Sequence, residues 1–136
     1  MGDAYLLLEN GMVFKGRQFG FDGEASGELV YSTAMSGYME TLANPVYAGK
    51  IVMETFPLIG CYGVVREEFG AGPVYMSAYI VREWCREPSN FRSEGTLDDF
   101  LRGHGTPGLC GIDTRALMRV LRERGPMRAT ISRDLP

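Results

Sequence analysis

The chain has 136 residues, 45% of them hydrophobic and 23% charged, with a formal net charge of −3. That length suits one domain with a buried core, the composition is that of a soluble globular protein, and so small a net charge exerts no general pull toward nucleic acid or an anionic membrane. Cys61, Cys85 and Cys110 are odd in number and form no CxxC pair, Ala4–Leu8 is too short for a signal peptide, and no run approaches the roughly 18 apolar residues of a membrane span, so the sequence reads as cytoplasmic with reduced thiols.

The first half is strand-rich. Tyr5–Glu9 and Met12–Phe14 flank Asn10-Gly11, the signature of a hairpin with a type I′ turn. Gly16, Gly20, Gly23 and Gly27 punctuate the next stretch, and Glu28–Thr33 predicts a strand in which Leu29 and Tyr31 alternate with Val30 and Ser32. Ser36–Leu42 predicts a short helix capped by Ser36 and ended before Pro45. Pro45–Lys50 is then a loop, Ile51–Phe56 a strand closed by Pro57, and Val74–Trp84 one long buried strand.

The second half turns helical. Thr96 precedes Leu97, Phe100 and Leu101 at helical spacing, and Gly103 ends that segment. Asp113 caps a longer helix, Thr114–Arg124, with Leu117, Val120 and Leu121 as its buried stripe and Gly125-Pro126 as its stop. Met127–Ser132 returns as a strand. Strands first and helices later argue for an α+β-like or layered α/β domain rather than a regular βαβ array.

Charge is unevenly placed. Residues 113–136 hold six arginines against Asp113, Glu123 and Asp134, a balance of +3, while residues 1–112 carry −6. Arg115, Arg119 and Arg122 share one helix face at i, i+4 and i+7. Such a face either stays solvated or meets an acidic partner.

Residues 32–63 are dense in Gly, Pro and Tyr, with only Glu40, Lys50 and Glu54 ionised, a composition suited to a ligand-facing or partner-facing segment. Catalytic patterns are weak. Cys61 lies in Gly60-Cys61-Tyr62-Gly63, which is one residue short of a nucleophile elbow, and it would need the lone histidine, His104, beside it. Glu40 and Glu54 form an acid/base pair only if the fold brings them together. Gly70-Ala71-Gly72 and Gly49-Lys50 lack the surrounding pattern of a phosphate loop, the cysteines and His104 have no metal-ligand spacing, and the tyrosines are not interleaved with basic residues as a nucleic-acid surface requires.

A set of motifs in order carries a resemblance. It comprises Leu-Glu-Asn-Gly-Met-Val-Phe-Lys-Gly (8–16), Gly-Glu-Leu-Val-Tyr-Ser-Thr-Ala-Met-Ser-Gly-Tyr-Met-Glu (27–40), Asn-Pro-Val-Tyr-Ala-Gly-Lys-Ile-Val (44–52), Pro-Leu-Ile-Gly-Cys-Tyr-Gly (57–63), Glu-Pro-Ser-Asn-Phe-Arg-Ser (87–93) and Gly-Ile-Asp-Thr-Arg-Ala-Leu (111–117). Through these the whole chain, 1–136, resembles the N-terminal domain of the small, glutamine-hydrolysing chain of carbamoyl phosphate synthase.

The resemblance implies a layered β/β/α fold of the swivelling type and a non-catalytic role. The domain would dock the small chain on the large chain and border the glutamine site. Ammonia from glutamine would then pass to the large chain, which uses ATP and magnesium to make carbamoyl phosphate for arginine and pyrimidine synthesis. No cofactor is expected in this chain, and the glutamine amidotransferase domain is expected to be absent from it.

One binding position carries over from the family. The Ser of the family's Asp-Pro-Ser-Tyr segment, assigned to glutamine binding, falls at Val46, with Asn44 in place of the Asp. Tyr38 and Tyr47 are the expected interface residues, and no catalytic residue is expected. The alternatives are a stand-alone thiol hydrolase using Cys61 and His104, or a free-standing interaction module.

Overall fold

The computed structural model describes residues 2–32, 42, 44–55, 58–59, 74–84 and 97–133. The N-terminal hairpin joins β1 (Asp3–Leu8) to β2 (Val13–Gly20), with Leu6 opposite Phe14. Its turn differs from the expected type I′. Gly11 N–H donates to Leu8 O and Leu8 N–H to Met12 O, both at 2.9 Å, which closes a three-residue loop. Within this loop only Gly11 has positive φ, at 91°, so Asn10 avoids the left-handed region that a type I′ turn imposes on both central residues. Asn10 instead accepts from Met12 N–H through its side chain at 3.0 Å.

The remaining strands are β3 (Ala25–Ser32), β4 (Lys50–Glu54), β5 (Leu58–Ile59), β6 (Ala78–Ile80), β7 (Glu83–Trp84), β8 (Pro107–Cys110) and β9 (Met127–Ser132). Among the described residues, α1 spans Leu97–Gly103 and α2 spans Thr114–Arg124. Seven strands close into a barrel in the order β1-β2-β8-β6-β4-β3-β9, and β5 pairs with β7 in a separate parallel ribbon. The barrel is mixed. Strands β3, β4, β6 and β8 run parallel to their neighbours within that set, and every pair made by β1, β2 or β9 is antiparallel. Parallel neighbours need long crossovers, so the connections 33–49, 55–77 and 81–106 follow from the topology.

Alternation along the strands sorts the apolar residues into two cores. Ala4, Leu6 and Leu8 of β1, Leu29 of β3, Ile51 and Met53 of β4, and Ala78 and Ile80 of β6 fill the barrel interior with residues of β8 and β9. Val52, Tyr79 and Cys110 point outward and meet Phe19, Leu42 and Leu101 in a second cluster. Helix α1 packs on the outer face of the barrel over β2 and β8. This is the α/β architecture expected from the sequence.

Strands β8 and β9 lie on different sides of the barrel, so the chain between them must cross it. That segment is α2, whose Leu117 and Leu121 join the interior core while Val120 packs at its edge. Asp113 Oδ1 accepts from Ala116 N–H at 3.1 Å at its start, and Gly125, at φ 79°, donates its N–H to Leu121 O at 2.8 Å at its end. The expected cap, stripe and stop are all present.

The single strand expected over Val74–Trp84 is interrupted. Only Ala78–Ile80 joins the barrel, while Glu83–Trp84 pairs with β5. Both faces of β6 are buried, so the segment is apolar without alternation, and the sequence carries no mark of the break. Strand β8 was not foreseen because it begins at Pro107, which is tolerated at the first residue of a strand. Of the helix expected over 36–42, only Leu42 is described; it is helical and fully buried.

Candidate functional site

Residues 44–50 connect the long crossover after β3 to β4, and they build a short, well-bonded turn. Pro45–Tyr47 forms one turn of 3-10 helix with Asn44 as its N-cap. Asn44 Oδ1 accepts from Val46 N–H at 3.0 Å, Tyr47 N–H donates to Asn44 O at 3.2 Å, and Ala48 N–H donates to Pro45 O at 3.1 Å. Pro45 occupies the first position, where a missing N–H costs nothing. An aspartate at 44 would offer the same acceptor, so asparagine preserves the turn while removing a charge.

This geometry defines what Val46 presents. The residue is 61% exposed, and its side chain cannot form a hydrogen bond. Its N–H is already committed to Asn44. Tyr47 is half-buried and packs against the outer cluster, so part of its ring is structural and part faces solvent. Tyr38 lies outside the described residues.

Glu54, at the end of β4, is 1% exposed. It accepts from Tyr79 Oη at 2.9 Å and from Thr55 N–H at 3.3 Å. Burial raises its pKa from the ordinary 4.5, and these two hydrogen bonds offset part of that rise. The candidate acid/base partner, Glu40, lies outside the described residues; the group found facing Glu54 is the Tyr79 phenol. Sequence reasoning missed that partner. A signal existed in the lone glutamate within the apolar run Ile51–Glu54, since a buried carboxylate requires donors.

His104 is exposed in the turn after α1, as expected. Its Nδ1 lies 2.9 Å from Phe100 O and its ring 4.3 Å from the Phe100 ring. Cys61, Cys85 and Gly70-Ala71-Gly72 lie outside the described residues, so the thiol–imidazole arrangement does too. Cys110 is a cysteine buried in the outer cluster. Lys50, of Gly49-Lys50, sits 3.4 Å from Glu28 on the adjacent strand. Among the described residues no group of three His, Cys, Asp or Glu is placed to hold a metal ion, and no helix is long and apolar enough to cross a membrane.

Fold and geometry together define a mixed α/β barrel domain that carries an exposed proline turn on one crossover and a buried tyrosine–carboxylate pair beneath the barrel's outer layer. Residues 6–131 match the family model described as "Carbamoyl-phosphate synthase small chain, CPSase domain". The chain belongs to that family. It is 52% identical over 129 residues to the carbamoyl phosphate synthase small chain of Nitratidesulfovibrio vulgaris, covering 95% of this chain and 34% of that one. It is 48% identical over 126 residues to the same protein of Oceanobacillus iheyensis, covering 93% and 34%, and 48% identical over 131 residues to that of Fusobacterium nucleatum, covering 96% and 37%. The chain therefore spans about a third of the length of the curated relatives it matches.

Proposed function

We propose that this domain is the non-catalytic assembly domain of a glutamine-dependent carbamoyl phosphate synthase, a cytoplasmic ligase. It docks the glutaminase-bearing chain on the large chain and borders the glutamine site with the turn at Val46. Ammonia released from glutamine then passes to the large chain, where ATP and magnesium are used for carbamoyl phosphate synthesis feeding arginine and pyrimidine production. The observation that carries this reading is the match of residues 6–131 to the CPSase domain of the small-chain family.

The physical role is to hold two active sites in fixed relation. Free ammonia is the reactive form, and it is scarce at neutral pH because most of it is protonated. A docked, water-excluding assembly prevents its loss, and a rigid scaffold maintains the alignment. The barrel suits that use, because its closed sheet and two packed cores leave little freedom for its walls to move.

The test is reconstitution. Purified 1–136 is expected to release no ammonia from glutamine. The small chain carrying this domain, combined with the large chain, is expected to make carbamoyl phosphate from glutamine; removal of this domain is expected to leave synthesis from added ammonium salt intact and abolish synthesis from glutamine. Glutamine turnover by 1–136 alone, or full glutamine-dependent synthesis without it, would overturn the proposal.

A further inference from the structure

The arginine face of α2 does not stand alone. Arg115, Arg119 and Arg122 line a cavity of about 420 Å³ together with Arg82, from the link between β6 and β7, and with Thr55, Thr114 and Met118. Gly111 N–H donates to Arg82 O at 2.8 Å, which pins the backbone of Arg82 beside the entry to α2. All four arginines are exposed, and none forms an ion pair among the described residues, although Lys15, Lys50, Arg102 and Arg133 all do. Glu83 and Asp113 border the adjoining hollow without pairing to them. Four unneutralised guanidinium groups around one groove repel one another, a cost that an anionic occupant would relieve.

We infer that this groove docks a carboxylate-bearing polypeptide surface of the large chain. This rests on the assembly role proposed above and specifies where part of the contact lies. Two features favour an acidic protein segment over a small phosphate ligand. Three of the arginines are strung along one helix face from i to i+7, about 10 Å of axis, which matches a row of carboxylates rather than one compact anion. In addition, the start of α2, where a phosphate would find free N–H groups, is occupied by the Asp113 carboxylate bonded to Ala116 N–H. Planar guanidinium groups suit bidentate carboxylate recognition.

The test uses the small chain assembled with its large chain. Arg119→Glu and Arg122→Glu, singly and together, replace exposed residues, and circular dichroism melts check that the fold is retained. Wild-type affinity for the large chain is expected to fall with added salt. The double variant is expected to bind about tenfold or more weakly at low salt and to show a flatter salt dependence. Unchanged affinity and salt dependence in folded variants would overturn the assignment of this surface while leaving the assembly role standing. Failure of the wild-type chain to bind the large chain would overturn both. Titration with inorganic phosphate and with ATP supplies the other arm: saturable binding to the small chain that the double variant loses, with assembly unaffected, would assign the groove to a small anion instead.

Discussion

Tyr79 on β6 donates its hydroxyl to the Glu54 carboxylate on β4 at 2.9 Å, on the outer face of the barrel. The register places Tyr79 beside Val52, so its long side chain reaches two residues ahead along the parallel neighbour. Both residues are essentially inaccessible to solvent. The pair ties together two strands at the place where the sheet must hold the crossovers that follow them.

This pair makes stability depend on pH in a stated direction. Burial raises the carboxyl pKa above 4.5, so the folded chain binds this proton more tightly than the unfolded one. The stabilisation is full below 4.5 and is lost as pH rises through the folded-state value. Glu54→Gln keeps an acceptor for Tyr79 and removes the charge. In urea melts from pH 4 to 8, the variant is expected to lose stability less steeply with pH than wild type and to be the more stable chain at pH 8. Tyr79→Phe is expected to cost about 1–3 kcal/mol, more at pH 8 than at pH 4, because an ionised buried carboxylate is left with one donor fewer. Parallel pH profiles for all three chains would show that Glu54 is not titrating within the fold.

Gly16 shows how closely β2 and β8 approach. A methyl group built on it would lie 2.5 Å from the Cys110 carbonyl oxygen and 3.1 Å from the Ile112 side chain. The near atom is backbone and cannot swing away. Gly16→Ala is therefore expected to destabilise the domain by about 1–3 kcal/mol, as overpacking does. Gly103, at the end of α1, has nothing within 4 Å of the same construction. Gly103→Ala is expected to be neutral or to stabilise by up to about 1 kcal/mol. Chemical denaturation of the two variants side by side checks the contrast.

These glycines also mark where sequence reasoning stopped. Gly16 and Gly20 resemble loop punctuation, yet β2 runs through both to its end. Glycine at Gly16 answers a contact from β8, a strand ninety residues away in the chain, and nothing local announces it. Local signals served well where the physics is local: the Asn10-Gly11 hairpin, the Asp113 cap and the Gly125 stop of α2 each depend on neighbouring residues only. The barrel closure and the division of β6 and β7 between two sheets depend on distant pairing, which periodicity does not encode. At the candidate site, the turn at Pro45 was legible from Asn44-Pro45. The Tyr79 partner of Glu54 and the Arg82 side of the arginine groove were not, because each comes from a segment distant in sequence from the residues it meets.

Asp113 satisfies one of the unpaired N–H groups that open α2, through Ala116 N–H. The helix supplies Leu117 and Leu121 to the barrel interior, so fraying at its first turn loosens the core as well. Asp113→Ala is expected to cost about 1 kcal/mol, within the 0.5–2 kcal/mol usual for a lost cap, and Asp113→Asn to recover most of it. Thermal melts of the two variants are the measurement. Equal loss in both would assign the effect to charge instead of the cap hydrogen bond.

Val46 offers the most direct test of the glutamine-site assignment. Its side chain projects from a turn whose own bonds already use the Val46 N–H and the carbonyls of Asn44 and Pro45. The hydroxyl contact that the resemblance implies at this position therefore has no side-chain equivalent here. Val46→Ser restores a donor and acceptor without altering the turn, since the cap bond comes from Asn44 and position 46 has solvent beside it. In the assembled enzyme this variant is expected to lower the KM for glutamine by about two- to tenfold, the worth of one hydrogen bond of about 0.5–1.5 kcal/mol. Synthesis from ammonium salt, which bypasses the glutamine site, is expected to be unaffected. An unchanged glutamine KM would place the contact on the backbone of this turn or remove the turn from the site. A parallel change with ammonium salt would instead assign the effect to the packing of the domain, since only glutamine requires the site that Val46 is proposed to border.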